Sequence, residues 1–169
     1  KLDTGKINCG ISWKSSRDTI GSDKSVALKE WLPILQLEGF HFIDLQYGDT
    51  FNERNTIQHE RQIKITNIDE LDKFNDIEGL LALIDACDIV ITTSNVTAHL
   101  AGSLGKQTFL MVPFAKGRIW YWHNDMHHSI WYPTIKIFSQ DKNEIWAPVV
   151  KNICNELQKF SKAPYLSQI

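Results

Sequence analysis

Short, nearly continuous apolar runs alternate along this chain with stretches whose apolar side chains recur every three or four positions, and that alternation restricts the fold more than any other feature. Runs of the first kind fit buried strands, and stripes of the second kind fit helices lying on a core. Strands are predicted at 7–12, 40–45, 63–65, 88–92, 108–112 and 135–138. Between them, Leu28, Trp31, Leu32 and Leu35 form one helical stripe, Ile77, Leu80, Leu81 and Ile84 a second, and Trp146, Val149, Val150, Ile153 and Leu157 a third. Ser25 is a candidate N-cap for the first stripe, Pro33 is expected to kink or break it near Leu32, and Gly39 to end it. Asp76 is placed to cap the second, and Pro148 is tolerated in the first turn of the third. A helix opening at Ser94 or Asn95 and running to Leu104 would stop on Gly105 in the left-handed conformation. The polar stretch 51–60 suits a short surface helix, and the tryptophan-rich segment 116–133 reads as irregular. Strands joined through helices at these distances need right-handed crossovers, so the predicted fold is α/β, a mainly parallel sheet with helices on both faces.

A chain of 169 residues is enough for one such domain. With 43% of residues apolar and 22% charged, the composition is that of a globular protein rather than a disordered one. A formal charge of −2 supplies no field for nucleic acid or an anionic membrane, so any anion site must be local. Cys9, Cys87 and Cys154 are widely spaced and odd in number, which suits buried thiols in a reducing compartment better than a disulfide framework or a zinc site. No apolar run reaches the length of a bilayer span and no signal-peptide pattern opens the chain, so a cytoplasmic location is expected. The opening Lys1-Leu2-Asp3-Thr4, with a strand following at once, suggests a domain excised from a longer polypeptide.

In open parallel sheets ligands bind outside the carboxyl ends of the strands, so the loops after the first and fourth strands are the first places to look for chemistry. After the fourth strand the chain runs Thr92, Thr93, Ser94, Asn95, Val96, Thr97, Ala98, His99, setting hydroxyls and an amide at a helix N-terminus. Backbone N–H groups and the helix dipole favour an anion there, and a diphosphate would suit the place. Equally, Ser94 or Asn95 can be an N-cap that needs no ligand. The loop after the first strand holds Trp13, Lys14, Ser15, Ser16 and Arg17, in which Lys14 is either a point charge for phosphate or a solvated surface lysine. His99, one turn into the helix, either faces the ligand or packs in the core. Trp120, Trp122, Trp131 and Tyr132 either stack on a base or sugar or pin the irregular segment to the sheet. His123, Asp125, His127 and His128 cluster in sequence, but their spacing matches no defined zinc motif and no metal is expected. The absence of a Gly-x-Gly-x-x-Gly fingerprint and of a P-loop speaks against a dinucleotide dehydrogenase or an NTPase. No nucleophile elbow or close carboxylate pair supports a hydrolase.

The run from Leu83 to Gly105, LIDACDIVITTSNVTAHLAGSLG, resembles the donor-site signature of heptosyltransferase-like glycosyltransferases and of the tetratricopeptide-repeat (TPR) proteins that carry a related module. WYPTIKIFSQ, Trp131 to Gln140, followed by Trp146, is similar to the block that closes the module in the repeat-protein branch, and Leu45-Gln46 resembles its LQ turn. The resemblance covers nearly the whole chain. It implies the C-terminal half of a GT-B architecture, a Rossmann-like domain that binds a nucleoside-diphosphate sugar while an N-terminal domain, absent here, holds the acceptor. The binding set so implied is Trp13, Lys14, Ser16, Gln46, Ser94, Asn95, Thr97 and His99, with Lys14 at the phosphates, Gln46 near the ribose, and the others around diphosphate and sugar. No catalytic residue, metal or cofactor is implied. The partners implied are the donor, the acceptor domain and tetratricopeptide repeats in the same chain. Heptosyltransferases carry Asp where this chain has Ser94 and Thr where it has Asn95, which argues against ADP-heptose and for the repeat-protein branch. The alternative is a nucleotide-binding or scaffolding module of a repeat protein that has kept the fold and lost transfer. A flavodoxin-like or receiver-like signalling domain fits less well, because the acidic cluster it needs after the early strands is missing.

Overall fold

A computed structural model describes residues 5–15, 21–123 and 127–162. Six parallel strands, β1 (Ile7–Ser12), β2 (Phe40–Asp44), β3 (Ile65–Thr66), β4 (Ile89–Thr93), β5 (Thr108–Val112) and β6 (Ile135–Ser139), form one sheet in the order β3-β2-β1-β4-β5-β6. The fold is therefore α/β and Rossmann-like, as the alternation of runs and stripes predicts. Chain order reverses between β1 and β4, which are neighbours in the sheet, and a crevice at their carboxyl ends follows from the diverging connections.

Alternate strand residues feed opposite faces. Cys9, Ile11, Phe42, Ile89, Ile91, Phe109 and Met111 pack with Trp31, Ile34, Val149, Val150, Ile153 and Leu157 on one face. Their neighbours in sequence, Ile43 and Val90, turn to the other face and meet Leu80, Ile84 and Ala101. Helices α2 (Leu32–Leu35) and α6 (Ala147–Lys162) thus cover one side, and α4 (Ile77–Asp85) and α5 (Val96–Ser103) the other. A short α1 (Gly21–Lys24) and the surface helix α3 (Phe51–Arg61) stand in the loops at the carboxyl edge.

Three local expectations change. Ser25 caps no helix: its hydroxyl donates to the Gly21 carbonyl at 2.7 Å and accepts the Ser15 N–H at 3.0 Å. The first stripe winds as a 3-10 turn at Leu28–Trp31 and becomes α-helix only at Leu32, where Pro33, lacking an N–H, fits the first turn. The third strand lies at Ile65–Thr66 rather than 63–65, because α3 ends on a left-handed Gln62 (φ 58°) and the next residues bring the chain back to β2. Asp76 does cap α4, accepting the Gly79 N–H at 2.8 Å, and Gly105 (φ 66°) ends α5 as expected.

The close fit of α5 onto the irregular segment depends on Gly102. A Cβ there would lie 2.5 Å from Tyr132 Cγ and 2.9 Å from Ile135 Cδ1. Alanine in a helix interior gains up to ~1 kcal/mol over glycine, whereas overpacking costs about 1–3 kcal/mol, so the clash wins. Gly102→Ala is expected to lower the unfolding free energy by about 1–2 kcal/mol in urea titration; an unchanged or higher value would show that Tyr132 yields freely.

Candidate functional site

A cleft of about 450 Å³ opens at the carboxyl ends of β1 and β4, where the sheet topology places it. Ser15 lines it from the loop after β1, Ser94, Asn95, Val96 and His99 from the start of α5, and Lys24 from α1. Tyr47, Lys73, Phe74 and Ile77 form one wall, and Ile119 and Tyr121 from the loop after β5 the other. Among the described residues the lining holds two lysines and a histidine and no carboxylate.

Asn95 is the junction of the site. Its side-chain oxygen accepts the Thr97 N–H at 3.0 Å and caps α5, while its Nδ2 donates to Ser12 Oγ at 2.8 Å and to the Lys14 carbonyl at 3.0 Å. Of the two caps open in the sequence, Asn95 is the one used. The Ala98 N–H is taken by the Asn95 carbonyl at 3.2 Å, so the first turn spends two amides internally and an anion would feel the helix dipole more than a row of open N–H groups. Ser94 Oγ, also lining the cleft, accepts the indole N–H of the buried Trp122 at 2.9 Å.

Several residues implied by the resemblance stand elsewhere. Trp13 is fully buried and donates its indole N–H to Glu53 at 3.2 Å. Lys14 pairs with the same carboxylate and does not line the cleft, because α3 brings Glu53 against the loop. Gln46 is buried: its Oε1 accepts Ser12 Oγ–H, Trp13 N–H and Lys14 N–H at 3.0, 2.9 and 2.7 Å, which makes it the anchor of the β1 loop rather than an open ribose contact. Thr97 is buried, with no hydrogen-bond partner found for its hydroxyl. Ser16, Arg17 and Asp125 lie outside the described residues. Among the described residues no group of three His, Cys, Asp or Glu is placed to hold a metal, and no helix is long and apolar enough to cross a membrane.

Lys24 and Lys73 are the cations that reading the sequence missed, both from loops at the carboxyl edge. Lys73 Nζ reaches Asn67 Oδ1 at 2.6 Å, Asp44 Oδ1 at 3.1 Å and the Gln46 carbonyl at 3.3 Å, which occupies all its donors. Burial pushes its ammonium below the ordinary value, with Asp44 pulling the other way. Asp44, fully buried at the end of β2, also takes Arg54 Nε at 3.0 Å, Thr50 Oγ1 at 2.6 Å and the Gln46 N–H at 2.8 Å. In dinucleotide-binding folds an acidic residue in this part of the fold holds a ribose. Here it is saturated by protein donors and leaves no open carboxylate oxygen for a ribose.

His99 stacks on Trp122 at 5.1 Å, with Nδ1 3.2 Å from the Tyr132 hydroxyl and Nε2 3.3 Å from that of Tyr121. It packs in this cage and also lines the cleft. Trp122 and Tyr132 serve as packing, and Tyr121 meets the cleft. Burial lowers the His99 pKa below 6.5, and the nearby Lys24 charge adds to the effect. The unfolded chain then binds this proton more tightly, so stability complete above pH 6.5 is lost as the pH falls through and below that value. Between about pH 7.5 and 5.5 the melting temperature should fall more steeply for the wild type than for His99→Phe; parallel curves would contradict a neutral, desolvated His99.

No protein-family model matches the chain. It is similar to protein FlbA of Caulobacter vibrioides, at 27% identity over 155 residues that cover 90% of this chain and 25% of that protein. The chain thus spans about a quarter of the length of that relative.

Proposed function

We propose that this chain is the donor-binding domain of a glycosyltransferase and that the switch-point cleft holds a nucleoside-diphosphate sugar. The observation that carries the proposal is the lining of the cleft: two lysines and a capped helix start, three aromatic rings, and no carboxylate among the described residues. A diphosphate needs positive potential and tolerates no neighbouring carboxylate, and Lys24 with the N-terminus of α5 answers that need. Tyr47 and Phe74, edge to face with ring centroids 6.0 Å apart, and the half-exposed Ile77 offer an apolar wall on which a base could rest against one ring face. Ser94, His99 and Tyr121 supply the polar groups that a sugar requires. The resemblance of the segment Leu83 to Gly105 to donor-site sequences falls on β4 and α5, the elements that frame the cleft.

As the glycosidic bond breaks, negative charge builds up on the departing nucleoside diphosphate. Lys24 and the helix dipole, fixed before reaction, stabilise that charge without reorganising. Side chains supply the cations in this scheme, which assigns Lys24 the place that the sequence suggested for Lys14. The acceptor and its base belong to the other half of a two-domain enzyme.

A ligand that binds only the folded state stabilises it by RT ln(1 + [L]/Kd), about 2.7 kcal/mol at 100 times Kd. Thermal melts of the chain with UDP, ADP, GDP, CDP and their sugars should show a selective rise that Lys24→Met abolishes. Silence across the panel, or a rise indifferent to Lys24→Met, would overturn the assignment.

A further inference from the structure

The loop after β5 reaches across the cleft to α1, and its point of contact is a glycine. Residues Ala115 to Arg118 form a turn closed by the Arg118 N–H to the Ala115 carbonyl at 3.2 Å, with Gly117 third and at φ 75°. That is the position and sign at which a turn of this class calls for glycine. The turn is braced from within: one Arg118 Nη donates to the Pro113 carbonyl at 3.2 Å and the other to the carbonyl of His123. Against this braced turn lies the stem of Lys24. A Cβ built on Gly117 would stand 2.8 Å from Lys24 Cγ, 2.9 Å from Asp23 Cβ and 3.3 Å from the Asp23 carbonyl carbon. Such contacts with α1 backbone and with the first part of a side chain cannot be relieved by rotating a distant group. Lys24 itself is only 3% exposed although it lines the cleft, so the whole side chain, stem and ammonium, is closely held.

We infer that Gly117 is the positioning residue that seats Lys24 in the cleft wall, and that the missing side chain at 117 allows the loop after β5 and α1 to close on each other around an anionic ligand. The inference rests on the function proposed above, because it assigns the seated charge to the diphosphate. Gly117 touches no ligand and acts through Lys24. Any side chain at 117 would push α1 outward and withdraw the ammonium from the cleft while leaving the sheet and the aromatic wall in place.

The experiment is a double-mutant cycle on the chain, with affinities for UDP, ADP, GDP, CDP and inorganic pyrophosphate measured calorimetrically for the wild type, Gly117→Ala, Lys24→Met and the pair. Gly39→Ala serves as control, since Gly39 also has a left-handed φ (84°) but meets nothing within 4 Å of its would-be Cβ. Loss of a charge-assisted contact corresponds to about a tenfold or greater loss of affinity. Gly117→Ala and Lys24→Met are each expected to show it, the pair to lose no more than either alone, Gly39→Ala to bind as the wild type does, and Gly117→Ala to melt somewhat below Gly39→Ala because only its new Cβ meets α1. Additive losses, or full affinity in Gly117→Ala where Lys24→Met loses it, would overturn the seating role and leave the nucleotide function standing. Binding of pyrophosphate alone, with the same non-additive pattern, would support the seating and overturn the nucleotide reading; no binding by any probe would overturn both.

Discussion

Two side-chain amides hold the switch point together. Gln46, just past β2, gathers three donors of the β1 loop on one oxygen, and Asn95, at the start of α5, donates from its nitrogen to Ser12 and to the Lys14 carbonyl of the same loop. The loop after β1 is thereby fastened on one side to β2 and on the other to β4. Backbone groups beyond the last ladder bond would otherwise be left unpaired in a buried place, at a cost of about 1–3 kcal/mol for each one. Amides suit both positions because each accepts on its oxygen and donates from its nitrogen: an ionised carboxylate has no donor, and a hydroxyl has one hydrogen where Asn95 donates two bonds. The shape of the cleft follows from this double fastening.

The same fastening decides which charges face a ligand. With its backbone pinned by Gln46, Lys14 extends toward α3 and is taken by Glu53, which also receives the Trp13 indole. Asp44 is filled by Lys73, Arg54, Thr50 and the Gln46 N–H. Carboxylates are thus consumed behind the cleft, and Lys73 at its edge is held by Asp44. A polar hollow of about 400 Å³ on the outer side of this node, between Gly48–Arg54 and Asn67–Phe74, carries Asp49, Asp69 and Asp72 together with Arg54 and Lys73, so it mixes both signs where the inner cleft has no carboxylate among the described residues.

The sheet was legible because buried parallel strands need apolar runs on both faces, and such runs as 7–12 and 108–112 have no other good use. The crevice was legible too, since it follows from strand order alone. Side-chain destinations were not. Trp13, Lys14 and Gln46 lie in the right loops, yet their roles depend on Glu53, some 40 positions away and presented by a polar surface helix with no apolar stripe of consequence. Lys24 sits beyond a polar, unpatterned stretch, and Gly117, which lies against its stem, comes from a loop more than ninety positions away. Ser94 and Asn95 are both good caps by composition; the choice fell to Asn95 because the neighbouring β1 loop needs an amide donor.

The most direct measurement of where a ligand goes is amide chemical-shift mapping of the ¹⁵N-labelled chain during titration with the nucleoside diphosphates. Binding at the switch point predicts saturable shifts centred on Ser15, on Ser94 to His99, and on Tyr121, with the N–H of Thr97 at the helix start among them. Shifts centred instead on the outer hollow around Arg54 and Asn67, or saturation with no response at the start of α5, would contradict the account.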